Sequence, residues 1–122
     1  MNDYKDLRVW QKSREQFKDV YFLTKEFPME DRFGLVSQMR KSALSVPSNV
    51  AEGNGFKSIK KRHHFYEIAF GSACEIESQL VNCQDVGLLP LDKQEEFLDR
   101  ADHVKRMVAG LVALEAKRLE LP

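Results

Sequence analysis

The chain has only two cysteines, Cys74 and Cys83, too few for a disulfide framework. At nine residues' separation they lie about 180° apart around a helix, so they cannot share a metal. No apolar run approaches the ~18 residues that a membrane-crossing helix needs. The opening Met1-Asn2-Asp3-Tyr4-Lys5-Asp6 is polar and acidic, unlike a secretion signal, so cytoplasmic residence is the default expectation. Net charge is absent too: 19 basic side chains face 19 acidic ones, which argues against a general polyanion binder.

Catalytic patterns are equally scarce. The chain has no Glu-x-x-His, the pair that di-iron bundles repeat on two helices; His64-x-x-Glu67 runs in the reverse order. Ser72 has no strand–turn–helix context that would make it an elbow nucleophile. Gly53-Asn54-Gly55 follows a helical pattern rather than a strand, so it is no phosphate loop. The expectation is a non-enzyme with no metal, no cofactor and no small-molecule substrate. Glu67, Glu75, Glu77 and Asp85 then read as surface charges or interhelical pairs, and His63 as a satisfied core or interface histidine.

What the chain does have is apolar periodicity of three and four residues, with no strand-like alternation. Leu7, Trp10, Phe17, Val20, Tyr21, Thr24 and Phe27 mark a first helix from about Asp6 to Phe27, capped by Asp3 or Asp6 and ended by Pro28. Val36, Met39, Ala43, Val46 and Val50 mark a second, from about Glu30 to Glu52. A third runs from about Ser58 to Val86 through Ile59, His63, Tyr66, Phe70, Ala73, Ile76, Leu80 and Cys83. A fourth runs from about Asp92 to Leu119 through Phe97, Ala101, Val104, Val108, Leu111 and Leu114, with Asp92 and Glu95 spaced as a capping box. Four long helices with short links predict an all-α, antiparallel up-down-up-down four-helix bundle, one domain over residues 1–122. Of the internal glycines Gly34, Gly71 and Gly110, Gly71 is expected at a close helix contact because it lies beside Phe70 and Ala73.

Ser45-Val46-Pro47-Ser48-Asn49-Val50-Ala51-Glu52-Gly53 interrupts the second pattern. A proline inside a helix removes a donor and crowds the carbonyl four residues back, at ~3 kcal/mol. The expectation is a bend at Pro47. Asn49 and Glu52 would accept bonds from orphan backbone donors there, and Gly53 and Gly55 would stop the helix with positive φ.

Charge is unevenly spread. Residues 1–61 hold 12 Lys/Arg against 8 Asp/Glu, and residues 62–122 hold 7 against 11. The densest cluster is Lys57-Ser58-Ile59-Lys60-Lys61-Arg62-His63-His64. Lysines in a first turn oppose the helix dipole, so an anionic partner would relieve them. Lys57, Lys60, Lys61 and Arg62, joined by Arg40 and Lys41, are the candidate contacts for nucleic acid or another anion. The alternative partner is the acidic Glu95-Glu96-Asp99-Asp102 face of a second copy.

Three stretches carry a family resemblance: Asp6-Leu7-x-Val9-Trp10, then Ser37-Gln38-Met39-Arg40-Lys41-Ser42-Ala43 with Ser45 to Gly53, and Phe65-Tyr66-x-Ile68-Ala69-x-Gly71-Ser72-x-x-Glu75-Ile76-Glu77-Ser78-Gln79-Leu80. Together they span almost the whole chain. They resemble a bacterial four-helix-bundle family first seen as reading frames in intervening sequences of the 23S ribosomal RNA gene. The resemblance implies a four-helix bundle, a homo-oligomer that is often a ring of five around a channel, and no established enzymatic activity. Related accessory proteins of diversity-generating retroelements form basic pentamers that bind nucleic acid and a reverse transcriptase. The resemblance therefore implies RNA, or an RNA-handling protein, as partner. This chain differs from those relatives in its zero net charge.

Overall fold

Residues 3–122 are described by a computed structural model. Four α-helices follow one another: α1 (Arg8–Lys25), α2 (Ser37–Asn54), α3 (Ile59–Asp85) and α4 (Gln94–Leu119). No strand occurs among the described residues. α2 packs on α3 and α3 on α4 along extensive seams, α1 covers α2, and α1 meets α4 along the thinnest seam. The expected all-α bundle is what forms.

The seams follow the sequence spacing. Val36, Met39, Ala43, Val46 and Val50 are all buried, as are Tyr66, Ala69, Ala73, Ile76, Leu80 and Cys83 opposite them. Two apolar clusters result. One joins Val20, Leu23, Met39, Ala43, Ile76, Leu80, Cys83, Leu89 and Ala101. The other joins Val9, Val46, Val50, Ala69, Ala73, Val104 and Val108 nearer the chain's beginning.

Several expectations need correction. α1 starts at Arg8, after a separate 3-10 turn (Tyr4–Asp6) that Asp3 caps by accepting a bond from the Lys5 N–H at 2.9 Å. It ends at Lys25 rather than Phe27. Its buried stripe is Val9, Ser13, Gln16, Val20, Leu23 and Thr24, which turns the aromatic side chains toward the flank: Trp10 and Phe17 are only half-buried and Tyr21 is exposed. The pattern hid this because polar residues occupy several core positions of α1. The second helical stretch does not begin regularly at Glu30. A 3-10 turn (Met29–Asp31) and a π-helical turn (Arg32–Val36) lead into α2.

α2 runs through Pro47 and ends only at Asn54. Gly53 lies inside the helix, and Gly55 caps it with φ −75°, so neither adopts the positive φ expected. Gly53 is needed for a different reason: a Cβ there would lie 2.7 Å from Tyr66 Cε1. Gly71, by contrast, is exposed, with nothing within 4 Å of the place a Cβ would take, so the close approach expected there occurs at Gly53 instead. The positive φ falls at Gly87 (77°), just past α3. There the Leu88 N–H donates to the Cys83 carbonyl at 2.9 Å and the Gly87 N–H to the Gln84 carbonyl at 3.1 Å, a Schellman closure.

Ser58 caps α3 as expected, its hydroxyl accepting from the Lys61 N–H. α4 begins at Gln94 without a side-chain cap, so Asp92 and Glu95 form no capping box. Its seam passes through Ala101, Val104 and Val108 to Glu115, while Leu114 is exposed.

Candidate nucleic-acid interface

The end of the bundle that gathers the α2–α3 link and the last turns of α4 carries the basic cluster. Lys57, Lys60 and Lys61 are exposed there. Among the described residues, no ion pair engages any of the three. Lys61 Nζ lies 5.2 Å from the Phe56 ring, and Phe56 stacks on Phe65 at 5.2 Å with planes 11° apart. The exposed His64 meets Phe65 edge-on at 5.3 Å. Cations interleaved with aromatic rings form the usual combination for single-stranded nucleic acid, where charge tracks the backbone and rings stack bases.

Arg62 differs from its lysine neighbours. It turns inward: Nε donates to Glu115 Oε1 at 3.3 Å and NH1 to the Phe56 carbonyl at 3.2 Å. Glu115 is 1% exposed, and its Oε1 also accepts from Arg118 NH1 at 2.8 Å. Arg62 thus ties the link and α4 to α3. Beside it, Tyr66 is fully buried, and that burial pushes its phenol above the ordinary value. Glu115 was missed from sequence. The signal was present: Val104, Val108, Leu111 and Glu115 keep the alternating spacing, and only the assumption that a seam is apolar skipped it.

Arg40 and Lys41 do not join this patch. They precede Asn54 by about four turns of α2, ~21 Å of rise from Arg40. Arg40 is committed to α1: Nε donates to Thr24 Oγ1 at 2.9 Å, NH2 to the Tyr21 carbonyl at 3.2 Å, and the guanidinium lies 4.1 Å from the Tyr21 ring centre. Lys41 is exposed.

Around Pro47, Asn49 acts as a donor rather than the expected acceptor, its Nδ2 reaching the Ser45 carbonyl at 2.8 Å and Ser45 Oγ at 3.0 Å. Ser45 Oγ in turn accepts from Ser72 of α3 at 2.7 Å. Glu52 is exposed, and its backbone carbonyl accepts from the Gly55 N–H at 3.1 Å. The carboxylates Glu67, Glu75 and Glu77 of α3 are engaged as expected. Glu75 Oε1 accepts from Ser42 of α2 at 2.8 Å, Glu77 pairs with Lys105 of α4 at 2.9 Å, and Glu67 faces His63 at 3.3 Å.

The acidic face of α4 lies at the opposite end of the bundle, since α3 and α4 run antiparallel. Part of it is internally matched: Glu96 pairs with Arg100, and Asp102 with Lys105 and Arg106. A separate groove of about 660 Å³ runs along α1, lined by Trp10, Arg14, Phe17, Lys18, Tyr21 and Phe22 among others. Phe22 is 55% exposed there and Leu44 of α2 is 49% exposed. No helix is long and apolar enough to cross a membrane among the described residues.

The fold and its surface define an all-α bundle with one basic, aromatic-bearing end. The chain belongs to the 23S rRNA-intervening sequence protein family, whose model matches residues 5–110. That match ends before Glu115. A solved structure of a protein of unknown function, from the S23 ribosomal protein family of Bacteroides thetaiotaomicron VPI-5482, is similar in fold, with a TM-score of 0.75 at 18% identity over 85% of this chain and 97% of that one. No curated protein matches the chain.

Proposed function

We propose that this protein is a non-catalytic, cytoplasmic homo-oligomeric scaffold, a ring of five, that binds RNA or an RNA-handling partner through Lys57, Lys60 and Lys61. One observation carries the reading: three exposed lysines crowd the start of α3, where the helix dipole disfavours them, and none pairs with an acidic side chain among the described residues. Phe56, Phe65 and His64 supply ring surface beside them. Arg62, committed to Glu115, is a support for this end rather than a contact.

The dipolar layout favours a ring whose subunits stand side by side. Basic and acidic patches lie at opposite ends, so parallel copies place every lysine cluster on one rim and leave lateral contacts to the apolar groove of α1. A zero net charge is then compatible with a strongly positive rim. Binding of a structured or single-stranded RNA should weaken with salt by about one counterion per phosphate contact. A flat salt response, or no complex at low salt, removes the reading.

A second reading is a pure assembly module without nucleic acid, favoured by the exposed Phe22 and Leu44. If the basic start of α3 meets the acidic α4 face of another copy, the opposite-end placement permits that contact only head to tail. Reversing Lys60 and Lys61 to glutamate should then shift sedimentation toward monomer; an unchanged oligomer counts against it.

A further inference from the structure

The groove along α1 combines aromatic rings with cations that have no acidic partner. Trp10, Phe17, Tyr21 and Phe22 line it together with Arg14 and Lys18. Lys25, one turn further on, holds its Nζ 5.0 Å from the Phe22 ring centre, and the Arg14 guanidinium lies 5.4 Å from the Trp10 ring. Steps of three and four residues put these side chains on one stripe of the helix. No ion pair engages Arg14, Lys18 or Lys25 among the described residues. The one carboxylate in the lining, Glu15, is taken by Lys12 at 3.5 Å. An exposed ring patch edged by unpaired cations fits an occupant with apolar knobs and carboxylates. Nucleic acid fits it less well, because the rings already carry their own cations and leave less face for a base to stack on.

The same chain carries such a surface. In the link between α3 and α4, Val86 is 70% exposed and Leu91 88% exposed. Asp85, Asp92 and Glu95 are exposed beside them and enter no ion pair among the described residues. Lys93 is the single cation between Asp85 and Glu95, so the link is acidic. Groove and link are both exposed in one chain, so neither covers the other within it. Val20 and Leu23 of α1 share a core cluster with Cys83 and Leu89, which puts the end of α1 and the α3–α4 link at the same end of the bundle. Two copies standing side by side in one direction therefore bring the link of one level with the Tyr21–Lys25 half of the other's groove.

We propose that the α1 groove is an interface between copies of this chain and receives the α3–α4 link of the neighbouring copy. Val86 and Leu91 meet the rings, and Asp85, Asp92 and Glu95 meet Arg14, Lys18 and Lys25. The two surfaces differ, so the contact is heterologous: it closes into a ring or runs on as a chain of subunits. This contact rests on the homo-oligomeric reading above and adds to it both of the surfaces that join. It also leaves the lysine-bearing end uncovered, unlike a head-to-tail contact through the start of α3.

The test is sedimentation of the full chain over a range of concentrations, at low and high salt. The wild type should associate, and less so at high salt. Arg14→Glu with Lys18→Glu, and separately Asp92→Lys with Glu95→Lys, should each weaken association by more than about tenfold, since like charges then face each other. One chain carrying all four substitutions should regain it, because the charges are exchanged rather than lost; a misfolded variant would not be repaired in this way. Leu91→Ser should weaken association while leaving the melting temperature of the dilute, dissociated chain unchanged, because the side chain is exposed there. An oligomer that is indifferent to both charge pairs, or a fourfold variant as dissociated as either pair, overturns this interface and leaves the homo-oligomeric reading standing. A monomeric wild type overturns both. Groove variants that lose RNA instead of subunits give the groove to nucleic acid and overturn the proposal as well.

Discussion

Gly53 of α2 and Tyr66 of α3 meet at a distance that excludes any side chain on the glycine: a Cβ would lie 2.7 Å from Cε1 and 2.9 Å from Cδ1 of the ring. Tyr66 is 1% exposed, so its ring cannot swing aside. Alanine would gain ~1 kcal/mol in helix propensity over glycine but would overpack this contact by ~1–3 kcal/mol. Gly53→Ala should therefore destabilise the bundle by ~1 kcal/mol net, lowering Tm by roughly 3–5 °C. A Gly53→Ala chain that melts above the wild type would show that the two helices separate freely.

Exposed glycines should behave in the opposite way. Gly71 and Gly110 are helical, exposed and free of neighbours within 4 Å of an added Cβ. Gly71→Ala and Gly110→Ala should each stabilise by ~0.5–1 kcal/mol, readable as additive shifts in urea midpoint at constant m.

Glu115 should be the costliest charge to remove. Its Oε1 accepts from Arg62 and Arg118, while the residue itself is fully buried. Glu115→Ala strands the half-buried Arg62 guanidinium and should destabilise by ~3 kcal/mol. Glu115→Leu with Arg62→Met, which removes both partners, should recover most of that loss. With Arg62→Met alone completing the cycle, a double variant that loses the sum of the two single losses in urea titrations would mean that the pair is not coupled.

The residues that misled sequence reading were polar ones inside seams. Val46 and Val50, or Ile76 and Leu80, announce the core because apolar spacing and burial coincide. Ser13, Gln16 and Glu115 occupy the same seams, yet a hydrophobic pattern skips them, so α1 was rotated toward Trp10 and Tyr21, and α4 toward Leu114. Gly53 was misread for a related reason. A glycine near a helix end is more often a terminator, and only the tyrosine ring of another helix shows that it marks a contact. The exposed lysines were legible because charge clusters need no tertiary information, whereas the inward turn of Arg62 depends on a carboxylate 53 positions away.

Alkaline pH should weaken the fold through Cys83. Burial pushes its thiol up from the usual 9.0 to about 11. The thiol stays neutral in the folded chain while the unfolded chain ionises, so this stability is fully present below pH 9.0 and is lost as pH rises toward about 11. At ~1.4 kcal/mol per pKa unit the loss is ~2–3 kcal/mol. Urea midpoints measured from pH 8 to 11 should fall for the wild type and fall less for Cys83→Ala. Iodoacetamide should label Cys74, which is only half-buried, well before the buried Cys83. Equal labelling rates would contradict the burial of Cys83.

Stability and partner binding should move in opposite directions at the start of α3. Lys60 and Lys61 occupy the first turn, near the positive end of the helix dipole, and are exposed without ion pairs among the described residues. Glutamate at either position exchanges an unfavourable dipole interaction for a favourable one, worth ~0.3–1 kcal/mol each at low salt. Lys60→Glu with Lys61→Glu should thus raise Tm slightly while reducing RNA affinity and the slope of log K against log salt by about two. A structural role for these lysines predicts the reverse, a lower Tm with binding unchanged. Measuring both quantities on one variant separates a surface kept for a partner from one kept for the fold.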